Sequence, residues 1–215
     1  MRPKLIIFDW DGTLADTTGP IIDNLRQAFY ESGLAKPPAD RIRNLIGYSL
    51  VRIIQILAPE AGEHKREEII ETYAAHYLHP ANHVRLFPDA IPTLDTLKKQ
   101  GCLLAVATGK GRSGLDHAIA QTHTENYWDA TACASEYPSK PAPDMVLAVC
   151  DRLGIEARDS LVVGDTAFDL EMAAHAGARA VGLTTGAHDA QTLRNAPNIG
   201  ILPRLSDLPD FLNSL

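Results

Sequence analysis

Short unbroken apolar runs alternate along this chain with longer stretches whose apolar residues recur every three or four positions. Residues 4–9 read Lys-Leu-Ile-Ile-Phe-Asp, an apolar run closed by an acid. Residues 102–108 repeat that form and stop at Gly109, and residues 161–165 and 179–183 repeat it again. Apolar runs of this length without alternation are the mark of strands buried on both faces, as in a parallel sheet covered by helices. Residues 129–133 form a weaker candidate strand, and helical spacing falls at 90–100, 112–122, 143–153 and 168–176. Strands alternating with helices predict βαβ units. The expected fold is therefore α/β, a Rossmann-like three-layer core with a parallel sheet.

The stretch from Thr17 to Val84 is different, because no strand pattern occurs in it. Ile21, Ile22, Leu25, Ala28 and Phe29 keep helical spacing, as do Val51, Ile54 and Leu57, and then Ile69, Ile70, Tyr73 and Tyr77. Pro37-Pro38, Pro59 and Pro80 punctuate these segments. The predicted organisation is a core of residues 1–15 and 83–215, with a small all-helical unit, 16–82, inserted after the first strand. There is no internal repeat.

Composition removes several classes of function. Apolar residues make up 45% and charged residues 22% of 215, which suits a globular chain and not a disordered one. The formal charge of −7 speaks against a nucleic-acid partner, which calls for a basic face. No apolar run reaches the length of a membrane-spanning helix, and the N-terminus lacks a signal-peptide pattern. Cys102, Cys133 and Cys150 are odd in number and show no CxxC spacing, so they read as reduced core residues. Together these features predict a cytoplasmic protein, a monomer or homodimer, with no membrane partner.

Polar residues gather where the predicted strands end, which is where open parallel sheets bind ligands. Asp9 and Asp11, two apart on extended backbone, point the same way, and Gly12 lets the chain turn after them. With Asp165 and Asp169 they make a hard oxygen site of the kind Mg²⁺ prefers. One carboxylate could equally serve as a nucleophile with the other as acid and base, or the pair could cap the following helix. Thr108 and Gly109 offer a hydroxyl and a free N–H to a phosphate oxygen, although a Thr there also suits a helix cap. Lys140, in Ser139-Lys-Pro-Ala-Pro143, is stiffened by prolines and reads either as a cation held over acids or as an exposed loop lysine. Asp165 or Thr166 could also simply cap the helix that follows.

The order DxDGT, Thr-Gly, Lys-Pro and GDxxxD resembles the haloacid dehalogenase superfamily, and Phe87-Pro88-Asp89 with Lys140-Pro-Ala-Pro143 looks most like its phosphoglycolate phosphatase-like subgroup. That resemblance implies a phosphatase acting on a small phosphorylated metabolite, with the 16–82 unit as a helical cap. It implies that Asp9 becomes phosphorylated and that Asp11 acts as acid and then base. Thr108, Gly109 and Lys140 would bind the phosphoryl oxygens. Mg²⁺ would be held by Asp9, the Asp11 carbonyl and Asp165, with Asp169 in support. Asp11 argues against dehalogenation, which has no alkoxide to protonate. A β-phosphoglucomutase-like transferase and a non-catalytic phosphate sensor remain alternatives on the same scaffold. Lys36 and Lys65 read as solvated, which speaks against a Schiff-base role. Within the cap, the Gly47-Tyr48-Ser49 turn is a candidate substrate contact or a helix start. Arg26, Arg41, Arg43 and Arg52 could pair with a substrate carboxylate but suit a helix surface better. Thr13, Thr17 and Thr18 are expected to cap the first cap helix. Trp10 should pack, and His76, His79 and His83 have no zinc-like spacing.

Overall fold

A computed structural model describes residues 2–79 and 82–215. Pro80, predicted to punctuate the helical segments, lies outside the described residues. Six strands, all parallel, form one sheet in the order β3-β2-β1-β4-β5-β6. They are β1 (Leu5–Phe8), β2 (Leu103–Thr108), β3 (Ala130–Cys133), β4 (Ser160–Gly164), β5 (Arg179–Leu183) and β6 (Gly200–Leu202). The first five occupy the predicted runs. The three residues of β6, half-buried at the sheet edge, are too short to stand out as an apolar run.

Alternation within β1 explains the three layers. Ile6 and Phe8 pack with Leu94, Leu97 and Leu208 on one face of the sheet. Leu5 and Ile7 pack with Met145, Val149 and Leu170 on the other. Helices α5 (Ala90–Lys99), α6 (Arg112–Thr122), α7 (Asp144–Leu153), α8 (Ala167–Ala176), α9 (Ala190–Asn195) and α10 (Leu208–Asn213) accompany the strands. The two six-residue helices α9 and α10 were not legible from periodicity. Trp10 is fully buried and packs edge-on against Trp128. Cys102, Cys133 and Cys150 are buried free thiols.

Among the described residues, four further helices lie between β1 and α5: α1 (Thr18–Glu31), α2 (Ala39–Arg43), α3 (Leu50–Leu57) and α4 (Glu63–Tyr77). They carry a hydrophobic cluster of their own, built from Leu25, Phe29, Ile42, Ile54 and Ile69. Each such side chain contributes roughly 1.5–3 kcal/mol on full burial, which is how short helices hold together here. Among the described residues, no helix is long and apolar enough to cross a membrane.

The strand order fixes where chemistry can occur. From β1 the chain runs outward to β2 and β3, then returns to start β4 on the other side of β1. Loops diverge at that reversal and leave a crevice beyond the carboxyl ends of β1 and β4. Asp9 follows β1, and Asp165 follows β4.

Candidate active site

Three acids and one lysine meet in the crevice. Asp9, Asp165 and Asp169 are buried and offer carboxylate oxygens within 4.8 Å of one another. Lys140 reaches in from the β3–α7 connection and is itself buried, with Nζ 2.8 Å from Asp9 Oδ1 and 2.6 Å from Asp169 Oδ1. The exposed-loop reading of Lys140 is therefore overturned. The Lys140–Pro141 peptide is cis.

The surrounding backbone and hydroxyls fix each carboxylate. Asp165 Oδ1 accepts from Thr13 Oγ1 at 2.8 Å, and its Oδ2 accepts from the Ala187 amide at 2.7 Å. Gly12, at φ 79°, lies so close that a Cβ there would collide with the Asp165 carboxylate. Asp169 Oδ2 accepts from the amide and hydroxyl of Thr166 at 3.1 and 2.7 Å. Thr166 and Asp169 thus form a capping box on α8 while the other Asp169 oxygen faces Lys140. Of the two residues read as possible caps, Thr166 caps α8 and Asp165 does not, its oxygens being held by Thr13 and the Ala187 amide.

Charge in this cluster is unbalanced. Three buried carboxylates face one ammonium, and burial of an uncompensated charge is strongly unfavourable. Burial, above all, pushes Asp9 up to about 7; Lys140 opposes the rise, and Asp169 and Asp11 add to it. Asp165 also lies well above the usual carboxylate range, from burial first and then from Asp9 and Asp169. For Lys140, burial works against the charge, but Asp169 and Asp9 outweigh it and hold its proton more tightly than usual. An all-oxygen donor set with surplus negative charge fits a hard divalent cation.

Asp11 stands outside that cluster. Its Oδ1 accepts from Thr17 Oγ1 at 2.6 Å and lies 2.9 Å from Lys110 Nζ. Lys110 is nearly buried and also sits 4.2 Å from the ring centre of Tyr77. Burial opposes its charge, yet Asp11, Tyr77 and Tyr73 together raise its proton affinity. The sequence reading gives Lys110 no role, since nothing in a loop pattern marks a lysine as buried. Thr108 is buried at the end of β2, and its hydroxyl accepts from the Lys110 amide at 3.2 Å. Thr13 and Thr17, expected to cap α1, instead turn their hydroxyls to Asp165 and Asp11. His188 was also missed; its Nδ1 accepts from the Ala167 amide at 3.0 Å and braces the start of α8.

The helical segment meets the strand ends through the turn before α3. A Cβ on Gly109 would sit 2.6 Å from the Tyr48 carbonyl oxygen, so only glycine allows this approach. The Ser49 amide donates to Ser139 Oγ at 2.8 Å, and Tyr48 stacks on Phe168 with ring centres 4.0 Å apart. Ser49 also caps α3, accepting from the Arg52 amide. Lys36 is exposed as expected, but Lys65 is half-buried, donating to the Ser32 carbonyl and to Glu68.

A family model described as haloacid dehalogenase-like hydrolase matches residues 6–183. The chain belongs to that family. It is 35% identical to "Probable phosphatase IndB" of Dickeya dadantii over all of this chain and 95% of the relative. It is 30% identical to a phosphoglycolate phosphatase of Aquifex aeolicus over 82% of each chain. A crystallised hydrolase from Pseudomonas syringae, 24% identical, superposes with a TM-score of 0.89 over 99% of each chain, which shows that the two share a fold.

Proposed function

We propose that this hydrolase is a divalent-metal-dependent phosphomonoesterase that passes the phosphoryl group through Asp9. The observation that carries the reading is Lys140 bridging Asp9 and Asp169 beside Asp165, with Asp11 held apart two residues on. The relatives named phosphatase and phosphoglycolate phosphatase support the reaction class and put 2-phosphoglycolate among the esters to test.

In this reading an Asp9 oxygen attacks phosphorus in line, and the bond from phosphorus to the alcohol oxygen breaks. Asp11 gives its proton to the departing alkoxide. The same carboxylate then takes a proton from water as that water attacks phosphorus, releasing phosphate and restoring Asp9. Thr17 and Lys110 both engage Asp11 Oδ1, and we assign proton transfer to Oδ2. Thr108, the Gly109 amide and Lys140 receive the phosphoryl oxygens. Asp9, Asp165 and the Asp11 carbonyl would hold Mg²⁺, with Asp169 in support. A bound Mg²⁺ supplies neutralisation of phosphoryl oxygen charge. Residues 16–82 would act as a cap over the core of 1–15 and 83–215, excluding water during the reaction.

The test is phosphate release from a panel of small phosphomonoesters with Mg²⁺, wild type beside Asp9→Asn. Release by wild type, reduced in the folded variant by roughly 10³-fold or more, is the expected result. Equal turnover by the variant would overturn the assignment of Asp9.

A further inference from the structure

The cavity that opens onto Asp9 and Asp11 has walls unlike its floor. Its volume is about 90 Å³, and it is bounded by Ile21, Leu25, Leu50, Ile53, Tyr73 and Tyr77 from the helical segment. Lys110 is the only cationic side chain lining it among the described residues, and Asp11 at 2.9 Å already neutralises it. The candidate arginines turn elsewhere or face solvent. Arg26 donates to the Pro37 carbonyl and Arg41 to the Ile56 carbonyl, and Arg43 and Arg52 are exposed.

Resting on the phosphomonoesterase reading, we propose that the leaving alcohol is uncharged and carbon-rich, and that esters of carboxylated alcohols such as glycolate are poor substrates. A carboxylate in this cavity would lose its hydration, compete with Asp11 for Lys110, and face Asp9 at close range. Methylene groups there would leave water for an apolar wall, each improving binding about fourfold. Discrimination thus comes from repulsion of the charged ester as much as from attraction of the neutral one.

The experiment compares kcat/KM for 2-phosphoglycolate, its uncharged isostere glycolamide phosphate, and the series ethyl, propyl and butyl phosphate, all with Mg²⁺. Glycolamide phosphate should exceed 2-phosphoglycolate by roughly tenfold or more, the scale on which a pocket lacking a partner group discriminates. The alkyl series should rise by about fourfold per methylene. A preference for 2-phosphoglycolate, lost selectively in Lys110→Met, would overturn the inference while leaving the phosphatase reading intact. No hydrolysis above the Asp9→Asn background for any ester would overturn the phosphatase reading and the inference with it. As a second arm, Leu50→Arg places a cation in the half-buried wall and should narrow the gap between the two isosteres. An unchanged gap in the folded variant would count against the cavity as the leaving-group site.

Discussion

The floor and the walls of the cavity are built by opposite rules. The floor is charge held rigidly: Asp9, Asp165 and Asp169 hang from strand ends and a helix start, and buried Lys140 ties two of them together. The walls are aliphatic and aromatic side chains on short helices that cohere through their own cluster and touch the core through a turn. Reacting atoms need fixed positions, so they sit on the sheet. Selection among alcohols needs only shape and polarity, which helices packed across the opening can supply. In the proposed reaction, catalysis belongs to the floor and discrimination to the walls.

Removing Lys140 should produce the largest effect. Lys140→Ala leaves Asp9 and Asp169 buried without their cation, and loss of one member of such a group costs about 3–5 kcal/mol. Denaturant unfolding should record that loss alongside a collapse of phosphate release. A variant with wild-type stability and rate would break the comparison at the floor. Next in size is the metal. EDTA should stop turnover and Mg²⁺ restore it, and Mg²⁺ should raise the wild-type melting temperature more than that of Asp165→Asn. An equal rise in both would remove Asp165 from the metal site.

Gly109→Ala probes the join between the two regions. Its methyl group would press on the Tyr48 carbonyl, and a misplacement on the ångström scale can lower kcat/KM by up to about 10²-fold. Stability should change much less, which separates a displaced helical segment from a damaged core. The smallest effect belongs to Arg112 and Glu136, an exposed bidentate pair at 2.9 and 2.8 Å whose side chains line neither the floor nor the walls. Hydrogen bonds from Arg112 hold Glu136 down to about 2, below its ordinary 4.5. Its contribution is therefore present above about pH 4.5 and fades as pH falls toward 2. Solvent screening keeps it under about 1 kcal/mol, so Glu136→Gln should barely move a melting curve at neutral pH.

Much of this arrangement is legible in the amino-acid sequence. Four strands announced themselves as unbroken apolar runs because both sheet faces are covered, and the acids at their ends followed from that register. The three-residue β6 and the six-residue α9 and α10 were not legible, since periodicity needs more length than they have. At the site, Asp9, Asp165 and Asp169 stand out at predicted strand ends, whereas a role for Lys140 comes only with the family resemblance. The pairing of Lys110 with Asp11, and the turning of Thr13 and Thr17 away from capping, could not be picked out. Those contacts depend on where the β2–α6 loop meets the start of the helical segment, a tertiary fact with no local pattern.

The central claim is that Asp9 carries the phosphoryl group. It is tested most directly by acid-quenching wild type during turnover of a phosphate-labelled ester that it hydrolyses and locating the label by peptide mass spectrometry. The account expects a hydroxylamine-labile phosphoryl group on the peptide containing Asp9, absent from Asp9→Asn. Label on another residue in an enzyme that releases phosphate would contradict it.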